Sequence, residues 1–166
     1  MARYLTIFIT LVLLWSCSSE KNDKDNIYPL AKHFFDTYSD RSDWEHFKQL
    51  YADDLVFEDV IFRYRFDRTG FENFYNWPDT LFQKHPEYPE TLILENLTIN
   101  DSTAIGSGYF TPFYYGEKLF GIDHQWRFVI ELTFDKQGLV KHQKDFIEYP
   151  PEYLKSAAEA LLKVEN

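Results

Sequence analysis

Two acids stand side by side in "YADDLVFEDV" (residues 51–60), where an apolar strand is beginning. An extended chain alternates its faces, so Leu55 and Phe57 share one side with Asp59, while Val56 and Val60 share the other with Glu58. At most one of these acids can face water without consequence. A carboxylate shut into an apolar space has its pKa raised and can accept a proton near neutral pH. A further acid, Asp145, lies in "GLVKHQKDF" (138–146), where it shares a strand face with Gln143 and leaves His142 on the opposite one. Gln143 and Asp145 can therefore serve together as polar anchors for a ligand. His124 and Trp126 alternate with Phe128, Ile130, Leu132 and Phe134, and so extend an inward face toward one strand end. Tyr64 and Tyr109 can bring hydroxyls to a pocket, although core packing is the competing use for any one of 12 tyrosines. His33, His46, His85 and His142 show no pairing at metal-ligand spacing, and there is no nucleophile elbow, phosphate loop or zinc pattern. Neither a metal nor a cofactor is expected.

The elements that must position these groups follow from periodicity. "IYPLAKHFFDTYSD" (27–40) places Leu30, Phe34, Phe35 and Tyr38 on one helical stripe, with Pro29 suited to a first turn. "RSDWEHFKQLY" (41–51) predicts a second helix capped by Ser42 or Asp43, with Trp44, Phe47, Leu50 and Tyr51 inward. "LVFEDVIFRYRF" (55–66) is extended, "TGFENFYNW" (69–77) suits a short third helix, and Pro78 to Pro89 is a loop. The second half reads as strands: "TLILENLTI", "STAIGSGYFTPFYY", "HQWRFVIELTFD" and "LVKHQKDFIEY" are rich in β-branched and aromatic residues. Turn-like separators between them predict antiparallel neighbours. Pro150 and Pro151 open a last helix over 151–166. Helices followed by a run of strands predict an α+β domain with helices on one face of a curved sheet.

Length and charge bound the rest. The 166 residues allow one core, and aromatics at 19% of the chain can build it and line an apolar pocket as well. A formal charge of −10, spread along the chain, argues against nucleic acid as a partner. Near the N-terminus Arg3 precedes an apolar run from Tyr4 to Trp15, too short for a membrane span and suited to a signal peptide. "LWSC" (14–17) resembles a bacterial lipobox, apart from Trp15 in a slot usually held by a smaller residue. That resemblance implies that residues 1–16 are removed and that Cys17, the single cysteine, is acylated. "SSEKNDKDN" (18–26) then fits a flexible tether, so 17–26 would hold a 27–150 domain on a membrane of the bacterial cell envelope, on the periplasmic or surface face of the outer membrane.

Three stretches, "DWEHFKQLYADDLVFEDV", "YRFDRTGFENFY" and "FVIELTFDKQGLVKHQKDF", resemble the nuclear transport factor 2-like superfamily, in its SnoaL-like and ketosteroid-isomerase-like branches. The resemblance implies a cone: a strongly bent, mostly antiparallel sheet wrapped by helices, with an apolar pocket open at one end. It also implies that Asp59 points inward as a general base and that Glu58 faces out. Two departures stand against an isomerase. The slot of the oxyanion-binding tyrosine holds Phe35 and that of the protonated acid holds Ile130, and neither can donate a hydrogen bond. In SnoaL-like cyclases an aspartate of the last strand acts, and Asp145 matches it, but the histidine two places earlier is replaced by Gln143. These departures favour a domain that binds a small apolar or aromatic molecule without catalysis. A proton-transfer enzyme of cyclase, dehydratase or isomerase type, using Asp59, Asp145 or both, is the alternative. Oligomeric state is left open, a homodimer included.

Overall fold

In the computed structural model the described residues are 23–78, 81–151 and 153–155. The expected signal peptide, Cys17 and most of the expected C-terminal helix lie outside them. The first helix, α1 (Asp23–Asp40), buries Ile27, Ala31, Phe34, Phe35 and Tyr38, spaced to lie on one face. It starts four residues before the expected domain, inside the stretch read as tether. Pro29 therefore sits within the helix rather than in its first turn, where its missing N–H removes a rung of the backbone ladder. A short helix, α2 (Trp44–Lys48), follows, and Asp43 caps it by accepting the His46 N–H at 2.9 Å. Phe47 is fully buried, whereas Trp44 is only partly so.

The extended segment then splits into a hairpin, β1 (Tyr51–Asp59) and β2 (Tyr64–Phe66), before α3 (Arg68–Tyr75). Asp67 caps α3 through the Gly70 N–H at 2.9 Å. Arg68 binds α3 to the start of the sheet, donating to the carbonyls of Lys48 and Tyr51 at 2.8 Å each and to that of Ala52 at 3.2 Å. The expected loop at 78–89 contains a short strand, β3 (Phe82–Lys84). After β4 (Leu92–Asn100) and β5 (Thr103–Phe110), the run read as one strand breaks at Thr111 and Pro112, and resumes as β6 (Phe113–Tyr115). Proline cannot donate to a ladder, which accounts for the break. Then come β7 (Lys118–Phe120), β8 (Arg127–Phe134) and β9 (Val140–Ile147). Of the expected last helix, Pro151 and Tyr153–Lys155 are helical.

Six strands form one mixed sheet in the order β2-β1-β9-β8-β5-β4, and β3-β6-β7 make a second, smaller one. All pairings are antiparallel except β1 with β9. Register sets the site. Across the inner face of the large sheet, one row reads Asp59, Asp145, Ile130, Gly106. The next row reads Phe57, Gln143, Leu132, Ala104, all buried. Phe35 of α1 lies on Gly106 so closely that a Cβ there would come within 2.2 Å of its ring. The α+β fold class and the curved sheet wrapped by helices are thus as the sequence predicts.

Candidate functional site

Strand alternation carries Asp59 and Asp145 inward, and both are nearly sealed, at 1% and 4% exposure. Glu58 faces the other way, where it pairs with Arg65 and lies 3.2 Å from Nε2 of His142. The two buried acids have different surroundings.

Asp59 ends β1 as its chain turns. Its Oδ1 accepts the Phe62 N–H at 2.9 Å and its Oδ2 accepts the Tyr149 hydroxyl at 2.6 Å. It stands behind Tyr149 and does not border the cavity described below.

Asp145 does border it. Its Oδ2 accepts the Tyr75 hydroxyl at 2.7 Å and its Oδ1 accepts Nε2 of Gln143 at 2.7 Å. The Gln143 Nε2 also lies 3.1 Å from Tyr75 Oη, and Gln143 Oε1 accepts the Tyr51 hydroxyl at 2.7 Å. Tyr38 donates to Tyr75 at 3.3 Å. These bonds all run toward the Asp145 carboxylate. Burial pushes its pKa up from 3.8 to about 7; the Gln143 and Tyr75 hydrogen bonds oppose that rise, and the charge of Asp59 adds to it. Burial, and then the Asp145 charge, drive the Tyr75 and Tyr51 hydroxyls well above their ordinary pKa, so both are protonated donors.

The cavity measures about 230 Å³ and lies between the open end of the large sheet, α3 and the small sheet. Phe74, Phe82, Phe110, Phe113, Trp126 and Tyr153 supply most of its apolar wall, and Asp145, Arg41, Asn76, Thr91 and the hydroxyls of Tyr38, Tyr75 and Tyr149 are among its polar points. Such a wall suits a small apolar or aromatic molecule, and the few polar groups would fix its orientation.

The residues singled out from the sequence are distributed unevenly around this space. Asp145 and Trp126 border it. Gln143 is fully buried with every polar atom engaged, so it orients Asp145 rather than meeting a ligand. Tyr64 faces inward beside Asp59 but packs among Phe62, Phe66 and Phe74, off the cavity wall. Tyr109 is on the outer face, because alternation along β5 gives the inner one to Gly106, Gly108 and Phe110. His124 is half exposed at the edge, 3.9 Å from Glu148, and borders a separate hollow that it shares with Trp126 and Tyr153. Phe35 and Ile130 are fully buried core residues, so the two slots without donors are filled by packing.

Donors come from elsewhere. Tyr75, Tyr38, Tyr51 and Tyr149 form the polar shell, although periodicity marks Tyr38 and Tyr51 only as inward-facing. Tyr75 was legible as the i+4 neighbour of buried Phe71, but nothing in the sequence said that its hydroxyl would reach a residue 70 positions away. The fold also brings His33 and His46 together, Nε2 to Nε2 at 3.1 Å, although their sequence spacing shows no metal pattern. No cluster of three or more metal-ligating side chains occurs among the described residues.

The sequence matches no protein-family profile and no curated protein. Solved structures do match. A candidate ketosteroid isomerase from Kribbella flavida is 25% identical, with a TM-score of 0.56 over 78% of this chain and 86% of that one. A candidate SnoaL-like polyketide cyclase from Shewanella putrefaciens is 17% identical, with a TM-score of 0.61 over 80% and 97%. An LEH-like epoxide hydrolase from M. tuberculosis is 12% identical, with a TM-score of 0.59 over 76% and 85%. The element order, the bent mixed sheet and these likenesses agree: the chain has the cone-shaped α+β fold of SnoaL-like and ketosteroid-isomerase-like proteins.

Proposed function

We propose that this domain binds a small apolar or aromatic molecule in the aromatic cavity, with Asp145 as its polar anchor. The observation that carries the reading is the position of Asp145: a carboxylate at 4% exposure, held by two donors, at the wall of an otherwise largely aromatic space. Burying a carboxylate is unfavourable, and a ligand hydroxyl donating to it offsets part of that cost. That the same cone carries proteins described as isomerase, cyclase and epoxide hydrolase supports a small-molecule site in this one. The test uses two fluorescent probes, 2-naphthol and naphthalene. Wild type should take up both, and Asp145→Asn should weaken 2-naphthol about tenfold while leaving naphthalene within about twofold, as for a hydrogen bond to a charged group. Absence of saturable binding of either probe would end this reading.

A second reading, proton-transfer catalysis, is favoured by one observation. A pKa of about 7 lets Asp145 both take and return a proton near neutral pH, with the Tyr75 hydroxyl beside it as a donor. Exchange of the acidic C–H protons of 2-tetralone in deuterium oxide, followed by NMR, separates the two. Catalysed exchange that disappears in Asp145→Asn selects the enzyme, and no exchange above buffer selects the binder.

We also propose that the domain is held on the cell envelope through acylated Cys17, a reading supported by the "LWSC" sequence. Cells fed a clickable palmitate analogue should label the protein, and Cys17→Ser should abolish the label. Label persisting in the serine variant would refute the anchor.

A further inference from the structure

Away from the cavity, α1 and α2 bring two imidazoles together. His33 is exposed on α1 and His46 is half-buried on α2, with only the loop 41–43 between the helices. Their Nε2 atoms stand 3.1 Å apart and their ring centroids 5.2 Å apart, so each ring turns the same nitrogen toward the other. Both backbones are held. The His46 N–H is fixed by the Asp43 cap, and the His33 carbonyl accepts the Thr37 hydroxyl at 2.8 Å. The basic residues nearest in sequence are engaged with other partners. Lys32 pairs with Asp36 at 2.6 Å and Lys48 with Glu45 at 2.9 Å, while the Arg41 guanidinium lies over the rings of Phe82 and Trp77. As neutral imidazoles the two rings share one hydrogen: one Nε2 donates it and the other accepts it through a lone pair. If the donor ring carries its hydrogen on Nδ1 instead, both Nε2 lone pairs face one point and no proton is lost. A tetrahedral zinc ion with bonds of about 2.0–2.1 Å sets two nitrogens roughly 3.3 Å apart, so the rings need part only by a few tenths of an ångström.

We propose that His33 and His46 together form a site for a divalent transition-metal ion, zinc or copper, that clips α2 to α1. Imidazole suits both ions, and copper(II) should bind the more tightly. The protein supplies two ligands, in keeping with the absence of any larger metal-ligating cluster among the described residues. Water completes the shell from the solvent side, where His33 is exposed. Such a site is open and reversible, unlike the closed four-ligand shell of a structural zinc. The clip acts on the core as well, because α2 carries the fully buried Phe47, which stacks on Trp77 with centroids 4.1 Å apart. The sequence conceals the pair, since two histidines 13 positions apart match no ligand spacing.

Zinc chloride titrated calorimetrically into the full-length protein tests the site. Wild type should bind one equivalent that needs both rings. His33→Gln and His46→Gln should each weaken that binding about tenfold or more, since each leaves a single imidazole. Saturating zinc should also raise the denaturation midpoint of wild type and leave both variants unmoved. Nitrogen-15 NMR of the wild-type imidazoles does not depend on how a variant folds. Without metal, His33 and His46 should show opposite tautomers; with zinc, both should carry their hydrogen on Nδ1. The proposal is overturned by any of three results: no saturable binding by wild type, undiminished affinity in both variants, or opposite tautomers persisting under excess zinc. Each would leave a plain hydrogen-bonded pair, and none bears on the binding reading of the cavity.

Discussion

Asp59 accepts a backbone N–H and a phenol hydroxyl where β1 ends, so its carboxylate holds together the turn and the segment that carries Tyr149. Asp59→Asn keeps the size but leaves a weaker acceptor and adds donors facing donors. Denaturant titration at neutral pH should show a loss of about 1–3 kcal/mol, with 2-naphthol uptake retained. Unchanged stability would mean that the carboxylate is kept for a ligand instead. Asp145 carries the opposite signature. Its folded pKa of about 7 lies above the ordinary 3.8, so the native state holds a proton that the unfolded chain releases. The associated stability is complete below about pH 4 and is lost as pH rises through about 7. The groups around it are Tyr75, Gln143, Tyr38, Tyr51, Asp59 and Tyr149, and the tyrosines stay protonated throughout that range. Asp145→Asn should therefore flatten the fall in stability between pH 4 and 7 seen in wild type, as read from denaturation midpoints at several pH values. An undiminished slope in the variant would place the titration elsewhere.

At the scale of elements, α3 positions Tyr75, and Arg68 positions α3. Its guanidinium reaches three carbonyls around the start of β1 and forms an ion pair with Glu72 at 2.5 Å. Arg68→Gln leaves most of those carbonyls without a donor. It should cost stability and, by loosening α3, weaken 2-naphthol binding severalfold, although residue 68 does not border the cavity. Stability lost with unaltered binding would show that Tyr75 is held by its own packing against Phe57 and Phe71. The close approach of α1 to the sheet is set by Gly106. Gly106→Ala would drive its Cβ against the fully buried Phe35 ring and should cost about 1–3 kcal/mol as overpacking. Retained wild-type stability would mean that Phe35 can slide.

For the molecule as a whole, the aromatic content serves two purposes. Phe34, Phe47, Phe57 and Phe71 are fully buried and fill the core. Phe113, Phe120, Trp126, Tyr149 and Tyr153 crowd the open part, where the small sheet and the first turn of the C-terminal segment meet the cavity. Within the first set and its neighbours, truncation should track burial. Phe57→Ala should lose about 3–5 kcal/mol in denaturant, whereas the partly buried Trp44 should lose less on Trp44→Ala. An equal loss at both sites would mean that α2 carries more of the core than its exposure indicates.

What the sequence determined by itself is what periodicity can carry. Leu55, Phe57 and Asp59 alternate with Val56 and Glu58, and that alone put one acid inside. The stripe through Phe34 and Tyr38, the Asp43 cap and the turn before Val140 likewise follow from local rules, and helices preceding strands made the fold α+β. Local rules name the face of an element, however, and not what meets that face. Tyr51 and Gln143 are 92 positions apart, Tyr149 and Asp59 are 90 apart, and Tyr75 and Asp145 are 70 apart. Only the parallel pairing of β1 with β9, and the docking of α3 on the β1–β2 hairpin, brings those hydroxyls to Asp59, Gln143 and Asp145. The same closure seals the Trp126 N–H among rings drawn from three separate parts of the chain. Which carboxylate borders the cavity and which one holds a turn was thus decided by tertiary contact, because burial is a property of a face whereas hydrogen bonding depends on the particular neighbour that arrives there.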